Sequence, residues 1–389
     1  MVGYFLGKFR WLALVAGSLV FLAVTVSYGA GTGMENQILT ANDDGRDVVL
    51  AGGRVLQVEL EGNPSTGYSW DIVRLDQGVL RLLSEKWHPL SDLLGAPGKQ
   101  VFRFAAIKRG QTELTLAYRR SWEKDRAPLR TISFTVNVSE VGSGNPTVDD
   151  AGEDGEPAEA EMNAFSEDTM QSLPSSFNWC DQGICPPVRD QGQCGSCWAF
   201  GTVAPLEALI KLKDGQTKDV SEQYLVSCNS EGWGCDGGWW AHDYHINKVP
   251  PGEPSAGAVY EAEFPYVAKD VACGSPHNHY ETLMSWSYVG TSSGVPSVSA
   301  IKEAIYTYGP VPAAVCVNRP FQSYQGGVFS SRWSCRQINH AITLVGWDDA
   351  QGVWILRNSW GPNWGEGGYM RIKYGQNSVG YGANFVIYK

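Results

Sequence analysis

Apolar and polar positions alternate along the first part of the chain. Leu56, Val58 and Leu60 share one face of a period-two run; Phe102 with Phe104, then Leu114, Leu116 and Tyr118, then Ile132, Phe134, Val136 and Val138 repeat it, with turn residues between the runs. Successive side chains of a strand point to opposite faces, so each run predicts a strand with one buried side. Several such strands at short spacing predict an all-β, immunoglobulin-like sandwich over residues 37–140. Beyond Leu173 the pattern is mixed. Ser196–Asp214 reads as a helix, and Ile342–Trp347 and Val353–Leu356 read as buried strands, so residues 173–389 predict a second, α+β domain.

The residues between these parts offer no face to bury. Residues 141–172 are rich in Gly, Pro, Ser and like charges and read as a flexible acidic tether. Located this way, the net charge of -11 changes meaning: ten Asp and Glu and no Lys or Arg fall between Glu140 and Asp168, which leaves about -1 for the rest. The folded parts are near neutral and carry no sign of a nucleic-acid partner. At the N-terminus, Lys8 and Arg10 precede an apolar run from Trp11 to Val26 and small residues at Ser27, Gly29 and Ala30. This reads as a secretory signal cut after Gly29, or an uncleaved anchor that would be the chain's only link to a membrane. Either way the rest faces an oxidising compartment: secreted, periplasmic or lysosome-like. All nine cysteines lie beyond residue 173, so the sandwich must hold without disulfides.

The stretch QGQCGSCWAF places Cys194 and Cys197 just ahead of the helical run. A zinc site would need a second ligand pair; Cys180 with Cys185, His242 with His245 and His277 with His279 are available, but none has finger or ribbon spacing. A redox couple would need a preceding strand in a βαβ unit, and the Pro-, Gly- and Gln-rich approach does not read as one. A nucleophile accounts for more. Cys197 falls in the first turn of the helix, where unsatisfied N–H groups and the helix dipole favour a thiolate. His340 in INHAITLVGW and Asn358 in LRNSWGPNW flank apolar strands and supply an imidazole and an orienting amide, so a thiolate–imidazolium pair is expected. No metal or cofactor is expected.

QGQCGSCWAF, NHAITLVGW and NSWGPNWGEGGY, in this order and separation, resemble the papain family of cysteine proteases over residues 173–389. The resemblance implies a fold with a helical half and a β-barrel-like half, and an endopeptidase with Cys197 as nucleophile, His340 as general acid and base, and Asn358 as its orienter. It also implies an oxyanion-hole N–H from Gln191 and a cover over the His340–Asn358 bond from Trp360. It implies the disulfides Cys194–Cys235 and Cys228–Cys273. The family's third bridge is altered here, Cys316 offering a partner for Cys335, and Cys180 and Cys185 could close a small loop; sequence leaves the connectivity of these four open, and with them paired Cys197 would be the free one. Gly237 and Gly238 would admit an extended substrate backbone, and Trp239, Ala314, Ile338 and Ala341 would line a pocket for an apolar residue two before the cut in a protein or peptide substrate.

In place of the helical propeptide usual in that family, the β-domain carries NPSTGYSW, LLGAPG and YRRSWEK between its strands. These three segments resemble the inhibitory loops of the chagasin family of cysteine-protease inhibitors. Asn63, Pro64, Ser65, Thr66 and Gly67, then Gly95 and Gly98, then Arg120 and Trp122 are the matching residues. Pro97 and Ser121 depart from the pattern, where glycine and proline are common. Two readings of the β-domain follow. It restrains its own peptidase in cis until the tether is cut, with Phe165 as a candidate position, or it restrains other cysteine proteases in trans. About thirty flexible residues span on the order of 30 Å, enough for the first.

Overall fold

The computed structural model describes residues 37–141, 173–332 and 335–389. The expected leader (1–29), nearly all of the tether (141–172) and Phe165 lie outside the described residues. The first part holds eight strands: β1 (Gln37–Thr40), β2 (Asp47–Gly52), β3 (Val55–Gly62), β4 (Ser69–Arg74), β5 (Leu80–Pro89), β6 (Gly98–Ala106), β7 (Gly110–Arg119) and β8 (Arg130–Val141). They form two four-stranded sheets, ordered β1-β3-β6-β5 and β2-β8-β7-β4. The alternating residues that define the period-two runs meet in one core: Leu56, Val58, Leu60, Phe102 and Phe104 from the first sheet, Leu114, Leu116, Ile132, Phe134 and Val136 from the second. The loops β3–β4, β5–β6 and β7–β8 carry the three segments singled out above.

The second part holds β9 (Ser176–Asn178), β10 (Ser285–Tyr288), β11 (Val311–Val315), β12 (Val328–Phe329), β13 (His340–Asp348), β14 (Val353–Arg357), β15 (Tyr369–Lys373) and β16 (Asn384–Ile387). Its helices are α1 (Cys197–Asp214), α2 (Glu222–Cys228), α3 (Val298–Tyr308) and α4 (Arg319–Gln322). A six-stranded sheet runs β11-β13-β14-β15-β12, with β9 on β13, and β10 pairs with β16. The helix expected over Ser196–Asp214 starts one residue later. Every residue from Cys197 to Ile210 is buried, so α1 is a central helix with only its last turn at the surface. Gly215, in the left-handed conformation at φ 67°, ends it by donating to the Lys211 carbonyl.

Two apolar cores result. One surrounds α1, and the other lies against the six-stranded sheet. Cys197 belongs to the first and Trp360 to the second, so the candidate chemistry sits on the seam between them.

Candidate active site

Cys197 opens α1 because Ser196 precedes it in a non-helical conformation, as a cap whose hydroxyl turns away to Tyr266 Oη at 2.5 Å. The first N–H groups of the helix are therefore left without a side-chain cap. Cys194 is bonded to Cys235, which excludes both a redox couple with Cys197 and a shared metal. Cys180–Cys185, Cys228–Cys273 and Cys316–Cys335 are also bonded, and Cys197 is the free cysteine. His340 begins β13 and Asn358 follows β14; His340 Nε2 lies 2.7 Å from Asn358 Oδ1. That oxygen also accepts the Ser359 N–H at 2.8 Å, which identifies it as the acceptor and puts the ring hydrogen on Nε2. His340 Nδ1 has no hydrogen-bond partner. The Trp360 ring lies 5.0 Å from the His340 ring and keeps water from the bond beneath. Gln191 is fully buried; its Nε2 donates to the Cys194 carbonyl at 2.9 Å and its Oε1 accepts from Ser359 Oγ at 2.7 Å.

The cleft is filled by the β-domain. In the β3–β4 loop, Asn63 Oδ1 accepts the Ser65 N–H and hydroxyl, folding residues 64–66 into one tight turn that Gly67 closes at φ 81°. Ser65 is buried, its carbonyl accepts the Trp360 indole N–H at 2.7 Å, and its hydroxyl reaches the Cys197 sulfur. A Cβ at Gly67 would stand 2.3 Å from Trp122 and 3.2 Å from Trp360, so only glycine fits between those rings. In the β5–β6 loop, Leu94 N–H donates to Gly238 O and Gly238 N–H to Leu94 O, both at 3.0 Å. Gly95 N–H donates to Asn339 O at 3.0 Å. The Leu94 side chain is fully buried in an apolar cluster with Trp198, Ala314 and Ala341, against which Trp239 and Ile338 pack. In the β7–β8 loop, Arg120 forms two 2.8 Å bonds to the Asp190 carboxylate, and Trp122 stacks on Trp360 at 5.4 Å.

Three expectations change. Gly98 does not reach the cleft; it opens β6, where a Cβ would strike His88 O at 2.4 Å, so its role is to let β5 and β6 approach. Gly238 has no Cβ because the Trp198 ring lies 2.6 Å from where one would be, whereas the approach of loop 93–96 is what Gly237 permits. The expected ion pair is absent from the covered site. Burial pushes the Cys197 thiol up to about 12, outweighing the backbone groups of Ala341 and Trp198 that favour the thiolate, and burial pulls His340 down to about 4 against the Asn358 bond. Sulfur and imidazole are both neutral here.

Some contacts were not anticipated. Leu94 is fully buried in the apolar cluster around α1, and its signal was available: a leucine in a loop rich in Gly and Pro between two strands. Arg319 on α4 reaches back to Asp71, to Trp70 O at 2.7 Å and to Glu85 at 2.8 Å, and Gln322 donates to Pro64 O at 3.2 Å. Nothing in the spacing of those residues points to a contact.

Comparison with known proteins agrees with this geometry. The family described as "Papain family cysteine protease" matches residues 173–388, and "Chagasin family peptidase inhibitor" matches residues 50–138. Fruit bromelain of Ananas comosus is 35% identical over 223 residues, 55% of this chain and 59% of that protein. Ananain of the same plant is 37% identical over 215 residues, 54% of this chain and 58% of that protein. The match thus spans under two thirds of these relatives. The digestive procathepsin L2 proteinase of Tenebrio molitor larval midgut superposes with a TM-score of 0.50 at 32% identity, over 56% of this chain and 69% of that one. A family match over more than half of its residues, on the part that brings His340 to Asn358 and Cys197 to the head of a buried helix, makes this chain a member of the papain family of cysteine proteases.

Proposed function

We propose that this chain is a secreted cysteine endopeptidase acting through Cys197, His340 and Asn358, with residues 37–140 as an immunoglobulin-like inhibitor domain holding residues 173–389 latent in cis. In the open enzyme, solvent and the helix N-terminus favour transfer of the Cys197 proton to His340 Nδ1. The thiolate attacks the scissile carbonyl carbon, the Cys197 N–H and Gln191 Nε2 receive the oxyanion, and His340 protonates the leaving amine. A water molecule activated by His340 then releases the acyl group and restores the thiol. Asn358 holds the ring in the tautomer that leaves Nδ1 for these transfers.

The observation that carries the latency is the two-way bond between Leu94 and Gly238. Leu94 lies as the second residue before a cut would, and Gly95 as the first. The chain then turns back, with Ala96 N–H on Leu93 O at 3.2 Å, and the Gly95 carbonyl is taken by Asn63 Nδ2 at 2.6 Å rather than by the oxyanion donors. A substrate's path is imitated up to the reacting carbonyl and no further, which favours inhibition over cleavage. The burial of Leu94 supports preference for an apolar substrate residue at that position. The four disulfides support an oxidising compartment, and among the described residues no helix is long and apolar enough to cross a membrane.

The test compares peptide hydrolysis by the intact chain, by a fragment starting at Leu173 and by Cys197→Ala. The fragment should be active, the intact chain nearly silent at any dilution, and the variant inactive. Equal rates for the intact chain and the fragment exclude latency. Silence that is lost on dilution, or inhibition only of added enzymes, assigns the β-domain to trans inhibition.

A further inference from the structure

The two groups assigned to the oxyanion stand on different supports. Cys197 opens α1 and belongs to the half built around that helix. Gln191 is bonded to the other half: its backbone N–H donates to the Ser359 carbonyl at 2.9 Å, and its Oε1 accepts from Ser359 Oγ at 2.7 Å. Between them runs an irregular segment in which Gly192 takes the left-handed conformation at φ 62°. In the covered chain the β-domain steadies this segment from outside, Arg120 binding Asp190 and reaching the Gly192 carbonyl at 3.3 Å. Those contacts are gone once the β-domain leaves, and another must hold Gln191 against the head of α1.

Tyr266 makes that contact. Its Oη donates to the Gln191 backbone carbonyl at 2.8 Å, and a carbonyl only accepts, so the phenol hydrogen is committed there. The 2.5 Å contact with Ser196 Oγ is then a bond from the serine hydroxyl to the phenol oxygen. One oxygen thus ties the residue that carries the side-chain donor to the residue that precedes the backbone donor. It also draws the Ser196 hydroxyl away from the helix, at a position where serine ordinarily caps. The Tyr266 loop is itself fixed by α2 and its cap: Ser221 Oγ donates to Phe264 O at 2.6 Å, Gln223 Oε1 accepts the Val267 N–H at 3.0 Å, and Gln223 Nε2 donates to Lys269 O at 2.9 Å. Glu261 accepts the Tyr266 N–H at 2.8 Å, and Phe200 on α1 packs edge-on against the ring at 5.0 Å. Burial raises the phenol far above its ordinary value, so it keeps its hydrogen.

We propose that Tyr266 is a positioning residue for the oxyanion hole, holding Gln191 Nε2 and the Cys197 N–H at the separation that the tetrahedral intermediate needs; this rests on the oxyanion assignment proposed above. Tyr266 touches no reacting atom. The negative oxygen forms only as the scissile carbonyl is attacked, so a loosened pair of donors raises the barrier to acyl transfer and leaves substrate binding nearly unchanged. Attack of the Cys197 thiolate on a disulfide makes no oxyanion and escapes the effect. The sequence motifs hold no trace of this clamp, because Tyr266 lies 75 residues from Gln191 and 70 from Ser196.

The test uses the full chain opened by Gly95→Ala, whose added Cβ would stand 1.9 Å from the Gly195 carbonyl. Two rates are measured: hydrolysis of a peptide substrate, and reaction with a neutral aromatic disulfide, which reports Cys197 alone because it is the free cysteine. Both pass through the same opened site, so their ratio does not depend on how far the cover lifts. Tyr266→Phe keeps the ring against Phe200 and should lower kcat by about tenfold or more, with KM within about twofold and disulfide exchange unchanged. Ser196→Ala removes the other arm of the clamp and should lower the same ratio, and the two substitutions together should cost no more than Tyr266→Phe alone. An unchanged ratio in Tyr266→Phe, or equal falls in hydrolysis and exchange, overturns the clamp and leaves the proposed function standing. A Gly95→Ala chain whose thiol reacts but which cleaves no peptide overturns the proposed function, and the clamp with it.

Discussion

The wedge and the rim of the β-domain grip the same cleft by different physics. The wedge, Ser65 to Gly67 with Leu94 and Gly95, works through backbone hydrogen bonds, shape and a fully buried leucine. The rim, Arg120 with Asp190 and Arg319 with Asp71 and Glu85, works through charge. The pairs run in opposite senses: Arg120 of the β-domain meets one carboxylate of the peptidase, and Arg319 of the peptidase meets two of the β-domain. Such reciprocal pairs fix register and speed docking, while the desolvated wedge supplies most of the hold.

That division can be broken from the strong side first. Gly95→Ala places a Cβ 1.9 Å from the Gly195 carbonyl, backbone against backbone, at φ 89°. The whole β5–β6 loop must lift, a loss of more than about 4 kcal/mol, and the intact chain should hydrolyse a peptide substrate as fast as the Leu173 fragment. Leu94→Ala keeps the backbone bonds and empties the pocket. A loss of about 2–4 kcal/mol is expected, read as a rise in intact-chain activity with the fragment unchanged.

Acid acts through the wedge as well. Burial lowers the covered His340 to about 4, against the ordinary 6.5 it has in the unfolded chain. The covered chain therefore keeps this share of its stability against unfolding in full above pH 6.5 and loses it progressively as pH falls toward 4, by up to about 3 kcal/mol. Burial pushes Asp190 up, but Arg120 outweighs it and holds the carboxyl below its ordinary 3.8, so this pair adds to the loss only at still lower pH. The Tm of the intact Cys197→Ala chain should therefore fall from pH 7 to pH 4.5. Constancy over that range would contradict a buried neutral imidazole.

The smallest effect belongs to the rim. The Arg319 side chain is 39% exposed, so Arg319→Ala should weaken the hold by only about 1 kcal/mol. Its signature is the loss of part of the salt dependence of latency.

What could be read from the sequence follows the same boundary. Cys197, His340, Asn358 and the turn at Asn63–Gly67 stand in contiguous motifs, where local chain geometry dictates residue type. The period-two runs placed the strands for the same reason, since each buried face is written within one segment. Arg319 and Asp71, or Tyr266 and Gln191, acquire meaning only when distant loops meet, and no periodicity records that. The thiolate that the helix start argues for belongs to an uncovered site; which surface is covered is not written in the motif, and burial by another domain raises the Cys197 thiol and lowers His340. Gly98 was misplaced because a glycine within a strand pairing and a glycine in a loop look alike in one dimension.

The covering of Cys197 has one more consequence. Peroxide and other oxidants attack the exposed thiolate, and the covered sulfur has no accessible surface and keeps its proton. Under the proposed latency, a chain held in this form carries its nucleophile shielded from oxidants, so the loops that cover Cys197 would also set its shelf life.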